Sequence, residues 1–345
     1  MVMDLARNAG FQLFAALALV AAPVSAIAAD ITGAGASFPA PIYAKWGSAY
    51  KAASGNALNY QSIGSGGGQS QIKSRTVDFG ATDDPMKDAD ITANGLVQFP
   101  TVIGAVVPIV NIPGVASNQL RLTPPVLAAI FQGKIARWND PLIAKLNPGV
   151  TLRPMPITPV YRSDSSGTTA IFSSYLTKVA PNWTLGAGKA LSWPTGSGGK
   201  GNEGVAANVK NTAGAIGYVE ANYAFANRLT MTQLANASGK FVAPSMASFS
   251  AAASQADWSK ANNGVVNMLA LPGAATWPIV SSTYVLVEAK PKDPVRTANA
   301  LNFFAWSWKN GGKTAADLGY IALPPAAVAK AKAEWAGISG VKLPK

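Results

Sequence analysis

Three times in its 345 residues the chain runs a strand-like stretch into a turn of small residues and then into a helix start. The turns are Gly33-Ala34-Gly35-Ala36-Ser37-Phe38, Gly64-Ser65-Gly66-Gly67-Gly68 and Ser166-Gly167-Thr168. Repeated strand–turn–helix units build an α/β sheet whose loops gather at the carboxyl ends of the strands, where open sheets bind ligands. A helix start leaves its first N–H groups without partners and carries partial positive charge, so it accepts an anion readily. Taken singly, each turn also reads as a chance Gly-Ser loop or an Asp/Ser helix cap. Three of them, with Arg162 and the strand-end Asp83, describe a dry pocket for a small tetrahedral oxyanion. None is a nucleotide P-loop: Gly199-Lys200 lacks the following Ser/Thr and the upstream glycine at the required spacing.

The surrounding pattern is α/β throughout, with Gly and Pro punctuating short elements. Ile31 to Gly35, Ala57 to Ile63 and Val77 to Ala81 read as strands, the last ending at Asp83. Ile42, Tyr43, Trp46 and Tyr50 trace a helical stripe after Pro39 and Pro41, up to Gly55. Gly64 to Gly68 reads as a loop before a short helix from Gln69 to Ser74. Ile171, Phe172, Tyr175, Leu176 and Val179 give a second amphipathic helix, stopped by Pro181. Thr101 to Ile112 and Thr283 to Glu288 are β-branched apolar runs typical of buried strands; lying so far apart, they are placed to connect two lobes. Ala298 to Trp308 and Ala326 to Trp335 read as closing helices.

Size and composition narrow the class. A chain of 345 residues exceeds the ~250–300 at which a single core stops growing, so two lobes are expected. The first 28 residues read as a cleavable signal peptide: Arg7, an apolar stretch from Phe11 to Val20, and the small-x-small site Ala26-Ile27-Ala28. The absence of cysteine excludes lipid anchoring and disulfides, which points to a soluble protein held in a periplasm, with full secretion as the alternative. With no histidine, Ser-His-Asp catalysis and the usual zinc sites are excluded, whereas carboxylate and Ser-Lys chemistry stay open. The net charge of +12 is spread without any adjacent pair of basic residues, which argues against nucleic acid and for solvated surface with weak anion steering.

Six segments together carry a family resemblance. They are Thr32-Gly33-Ala34-Gly35-Ala36-Ser37-Phe38-Pro39-Ala40-Pro41, Ile63-Gly64-Ser65-Gly66-Gly67, Val77-Asp78-Phe79-Gly80-Ala81-Thr82-Asp83, Gln98-Phe99-Pro100-Thr101, Trp193-Pro194 with Gly198-Gly199-Lys200-Gly201-Asn202, and Gly214-Ala215-Ile216-Gly217-Tyr218-Val219-Glu220. In this order, over nearly all of the chain after the signal region, they resemble the periplasmic phosphate-binding proteins of phosphate-specific ABC transporters. The resemblance implies an α/β two-lobe periplasmic-binding-protein fold, each lobe a mixed sheet flanked by helices and joined by hinge strands. Its expected boundaries are residues 29–104 plus 283–345 for one lobe and 105–282 for the other. It further implies a monomer that binds inorganic phosphate, needs no cofactor or metal, performs no chemistry, and delivers its ligand to permease subunits.

The ligand contacts implied by the resemblance fall on Ser37, Phe38, Ser65, Asp83, Arg162, Ser166, Gly167 and Thr168, with Asp164 orienting the arginine. Serine stands at position 37 where the family often has threonine, and Gly66 follows Ser65 where serine is common. Arg162 suits this role because a guanidinium donates paired, charge-assisted hydrogen bonds to two oxyanion oxygens. Asp83 suits it because phosphate near neutral pH still has a proton to donate to a carboxylate, whereas sulfate has none and meets repulsion. Without the resemblance, Asp83 also reads as a turn residue before Asp84-Pro85, and Arg162 as the partner of Asp164 in a surface ion pair. Two other functions fit the composition: a phosphatase-like or Ser-Lys hydrolase, and a receptor for another tetrahedral oxyanion. Ser70-Gln71-Ile72-Lys73 matches Ser-x-x-Lys, but so does Ser48-Ala49-Tyr50-Lys51, and the companion Lys-Thr-Gly is missing because Ala315 follows Lys313-Thr314.

Overall fold

A computed structural model describes residues 30–344, so the signal region over residues 1–28 lies outside the described residues. The first unit is β1 (Ile31–Gly35), α1 (Ala40–Ser54), β2 (Leu58–Ser62), α2 (Ser65–Lys73) and β3 (Phe79–Thr82), with β1 parallel to both β2 and β3. Helix α1 begins with proline in its first turn and ends where Gly55 takes a left-handed φ of 82°, its N–H closing on the carbonyl of Lys51. Its buried face is Ile42, Tyr43, Trp46 and Tyr50, each contributing roughly 1.5–3 kcal/mol by leaving water.

Helix α3 (Asp88–Ala93) leads into β4 (Leu96–Val110), a strand buried at every residue. It starts five residues before the apolar run read from Thr101, because Pro100 interrupts the pattern without ending the strand. The proline is tolerated at an irregularity: the register with β12 (Val280–Glu288) shifts between Thr283 and Tyr284, whose partners are Val102 and Pro100. Strand β4 pairs antiparallel with β12 along Leu96–Ala105 and with β8 (Ala215–Glu220) along Val106–Val110, so one strand serves both lobes.

The second lobe opens with β5 (Arg121–Leu122), α4 (Pro124–Phe131), α5 (Pro141–Leu146), β6 (Thr158–Arg162), α6 (Gly167–Val179), β7 (Ser197–Gly199) and α7 (Gly201–Asn211). Strand β6 is parallel to β7 and β8. After β8 come α8 (Ala221–Ala226), β9 (Thr230–Met231), β10 (Gln233–Ala235), β11 (Phe241–Val242) and α9 (Met246–Ala253). The chain then returns through β12 and closes the first lobe with α10 (Pro294–Asn310), α11 (Gly312–Asp317) and α12 (Pro325–Glu334). The mixed sheet runs β2-β1-β3-β12-β4-β8-β6-β7 with β9 on β4, and β11-β10-β5 form a small separate sheet.

Each lobe has an aromatic centre. In the first, Tyr43 packs edge-on against Phe79 and Phe304, and Phe99 meets Phe304 and Trp335 in the same way. In the second, Phe172 of α6 stacks on Tyr218 of β8 with centroids 4.2 Å apart. One local expectation needs correction: Gly66, Gly67 and Gly68 are the first turns of α2, which starts at Ser65, not part of a loop. Glycine is a poor helix former, but the opposing chain comes too close for side chains here: a Cβ on Gly66 would lie 2.2 Å from Oγ of Ser165. Among the described residues no helix is long and apolar enough to cross a membrane.

Candidate functional site

The starts of α2, α6 and α7 converge with the β1–α1 turn where the two lobes meet. The first and second lobes touch through the backbone, the Gly66 amide donating to the Ser165 carbonyl at 2.9 Å. Gly167 makes a second close approach: a Cβ there would stand 2.3 Å from Oγ of Ser65 and 2.6 Å from Cβ of Asp83. All eight expected contact residues, Ser37, Phe38, Ser65, Asp83, Arg162, Ser166, Gly167 and Thr168, are buried and border this junction.

Arg162 ends β6 with its side chain 1% exposed. Its Nε and Nη2 donate to Oδ1 and Oδ2 of Asp164 at 2.8 and 2.6 Å, and Nη1 donates to Oγ1 of Thr168 at 3.1 Å. Asp164 thus fixes the Nε–Nη2 edge of the guanidinium, and Thr168 takes one bond from Nη1. Burial pushes the Asp164 carboxyl up, but the Arg162 hydrogen bonds and charge, with the Gly201 amide, outweigh it and hold the group below its ordinary value. The alternative of a surface ion pair fails, because Arg162 is buried.

Asp83 lies just past β3, 2% exposed. Its Oδ1 accepts from Oγ1 of Thr283 at 2.7 Å, and its own amide donates to Oγ of Ser65 at 3.0 Å. Burial raises its carboxyl to about 7, against the opposing pull of the Thr283 hydrogen bond and the Arg162 charge. Raised to about 7, the Asp83 carboxyl is ionised above that value, and in the ionised form it is an acceptor only. Asp83 does stand at the bend before Asp84-Pro85, but it is buried there and bonded to Thr283.

Ser166 caps α6, its Oγ accepting from the Thr169 amide at 3.0 Å, while its own amide donates to the Lys189 carbonyl at 2.9 Å. The Ser166 hydroxyl therefore keeps its proton and one acceptor position, whereas its amide is already bonded. Tyr218 holds the next turn, its OH 2.7 Å from Oγ1 of Thr169.

Residues that sequence reasoning did not assign complete the junction. Thr283 had no sequence signal, since it reaches Asp83 from 200 positions away. Asn202, on α7, is fully buried between Ser37 and Thr168; its motif, Gly198 to Asn202, was visible, but not what it would touch. At the mouth, Lys189 of the second lobe donates to Oε1 of Gln69 at 2.8 Å and pairs with Oδ2 of Asp84 at 2.9 Å, both in the first lobe. Among the described residues no cluster of three or more His, Cys, Asp or Glu could hold a metal ion.

Two α/β lobes on shared strands, with buried polar and charged groups where they meet, define a ligand-binding protein of the periplasmic-binding-protein class, and the PBP superfamily domain model matches residues 20–310. The chain is 49% identical over 310 residues to the phosphate-binding protein PstS of Pasteurella multocida, covering 89% of this chain and 90% of that one. It is 49% identical over 308 residues to PstS of Xylella fastidiosa strain 9a5c, covering 89% and 85%. Within the class, the chain belongs to the PstS phosphate-binding protein family. Its fold matches the solved structure of a high-affinity periplasmic phosphate-binding protein, PfluDING, bound with phosphate, with a TM-score of 0.73 and 20% identity, covering 92% of this chain and all of that one.

Proposed function

We propose that this protein binds inorganic phosphate in the periplasm and delivers it to the permease of a phosphate ABC transporter, as a monomer and without a catalytic step. The carrying observation is geometric: a buried carboxyl, Asp83, and a buried guanidinium, Arg162, lie at the junction where three helix starts converge. The arginine, amides and hydroxyls attract any oxyanion, and Asp83 favours one that still has a proton to give. The phosphate-binding names of the 49% identical relatives support the same ligand.

Ser37, Phe38, Ser65, Asp83, Arg162, Ser166, Gly167 and Thr168 are the proposed ligand contacts, with Asp164 orienting Arg162. The proposed lobes are 29–104 plus 283–345 and 105–282, supported by the switch of β4 from β12 to β8 between Ala105 and Val106. Export by a cleavable signal peptide over residues 1–28 accounts for the location.

Equilibrium dialysis against phosphate, arsenate, sulfate and molybdate tests the reading, with the fluorescence of the nine tryptophans reporting lobe movement. Phosphate and arsenate are expected to bind and sulfate and molybdate to be rejected. Absence of both retention and signal with phosphate overturns the proposal. Turnover of a chromogenic phosphate ester, lost on Arg162→Ala, would make the protein a hydrolase instead.

A further inference from the structure

Two of the proposed phosphate contacts, Ser37 and Thr168, sit on opposite lobes, and a single buried side chain touches both. Asn202 is 0% exposed, and its Nδ2 donates to Oγ of Ser37 at 2.9 Å and to Oγ1 of Thr168 at 3.3 Å. Its backbone amide also donates to Oγ of Ser37, at 3.1 Å.

The direction of these bonds is fixed from behind. The Glu220 amide donates to Oδ1 of Asn202 at 2.9 Å, and a backbone N–H can only donate. The carboxamide oxygen must therefore face Glu220, and the NH2 group must face the two hydroxyls. A hydroxyl has one proton and two acceptor positions. On Ser37 both acceptor positions are taken, by the amide and Nδ2 of Asn202. On Thr168 they are taken by Nη1 of Arg162 and Nδ2 of Asn202. All that either hydroxyl retains is its proton.

We infer that Asn202 is a positioning residue that makes Ser37 and Thr168 obligate hydrogen-bond donors toward the ligand, one from each lobe. The inference rests on the phosphate-binding reading of the site. It makes the pocket donor-only at these two points, so that a proton carried by the ligand is left to Asp83. It also couples the lobes, because the Ser37 hydroxyl is set by a residue of the opposite lobe and loses that constraint when the lobes part.

Phosphate dialysis on the full mature chain tests this, with Asn202→Ala alone and in a Ser37→Ala/Thr168→Val background. Asn202→Ala alone is expected to weaken phosphate binding about tenfold, the worth of misdirected hydrogen bonds to a charged ligand. In the background lacking both hydroxyls, the same substitution is expected to add less than about twofold, because its effect passes through them. Asn202→Ser, too short to bridge both hydroxyls, replaces Asn202→Ala if that variant does not fold. An equal loss in both backgrounds, or no loss alone while the unsubstituted chain binds phosphate, overturns the role of Asn202 and leaves the site reading intact. If the unsubstituted chain retains no phosphate, the site reading fails and the inference falls with it.

Discussion

Thr283 donates a 2.7 Å hydrogen bond from Oγ1 to Oδ1 of Asp83, across 200 positions of chain. It does so from the residue of β12 beside the register shift opposite Pro100, so an irregularity in the shared strands supports the carboxyl proposed to discriminate between anions. The other oxygen of Asp83 accepts a long bond of 3.5 Å from the Ser65 hydroxyl.

Asp83→Asn removes the charge while keeping the shape. The amide can donate to a fully ionised anion, so competition dialysis should show the preference for phosphate over sulfate falling by at least about tenfold. An unchanged preference would remove Asp83 from the selectivity mechanism.

Thr283→Val deletes the supporting hydroxyl without changing volume greatly. Losing a hydrogen bond to a buried charged group costs about 1.5–3 kcal/mol, so the phosphate dissociation constant should rise roughly tenfold or more. Titration calorimetry of the variant against the unsubstituted chain checks it; equal affinities would mean that Asp83 is held by its backbone alone.

The pH dependence of ligand-free stability follows from the same group. An ordinary Asp carboxyl titrates at 3.8, and in the fold Asp83 is raised to about 7. Between these values the folded state holds a proton that the unfolded chain has released, so the contribution of Asp83 to stability decreases as pH rises from about 4 to about 7. The loss is bounded by about 1.4 kcal/mol per pH unit. Urea melts in phosphate-free buffer at pH values near the two ends should show this decline in the unsubstituted chain and a smaller one in Asp83→Asn. Parallel curves would place the carboxyl near its ordinary value.

Gly167→Ala places a methyl group 2.3 Å from Oγ of Ser65 and 2.6 Å from Cβ of Asp83. These neighbours belong to the opposite lobe, so the substitution should obstruct closure more than it disturbs either lobe. Phosphate affinity is expected to drop by about a hundredfold or more, with the ligand-free melting midpoint changed by only a few degrees. A large stability loss with normal affinity would contradict this division.

Lys189→Ala removes the clasp on Asp84 and Gln69 at the cleft mouth. The pair is partly exposed, so about 0.2–1 kcal/mol is at stake, a few-fold in affinity and chiefly in the release rate. Stopped-flow release measured at low and high salt should show the difference shrinking as salt rises, and a salt-independent difference would argue against the ion pair.

Much of this architecture was legible locally. Helix α6 announced itself through the spacing of Ile171, Phe172, Tyr175 and Leu176 and through its Ser166 cap, and the structure has both. The start of α2 was misread because glycine propensity argued for a loop, whereas the fold needs bare backbone there to bring Ser165 against Gly66. The early start of β4 was missed because Pro100 is compatible with a strand only where the partner strand shifts register. Both errors arise where a long-range contact overrides a local preference.

By itself the sequence determined where donors would stand: hydroxyls and amides at helix starts, an arginine at a strand end, and the motifs of a phosphate-binding family. Those follow from local rules, since a cap or a helix start is built from neighbours in the chain. Only the tertiary structure decided which way the donors point and how readily the acceptor takes a proton. Asn202 sets the Ser37 hydroxyl from 165 positions away, and Thr283 together with burial sets the state of Asp83. Hydrogen-bond direction and desolvation depend on every atom packed around a group, and at this junction those atoms come from both lobes.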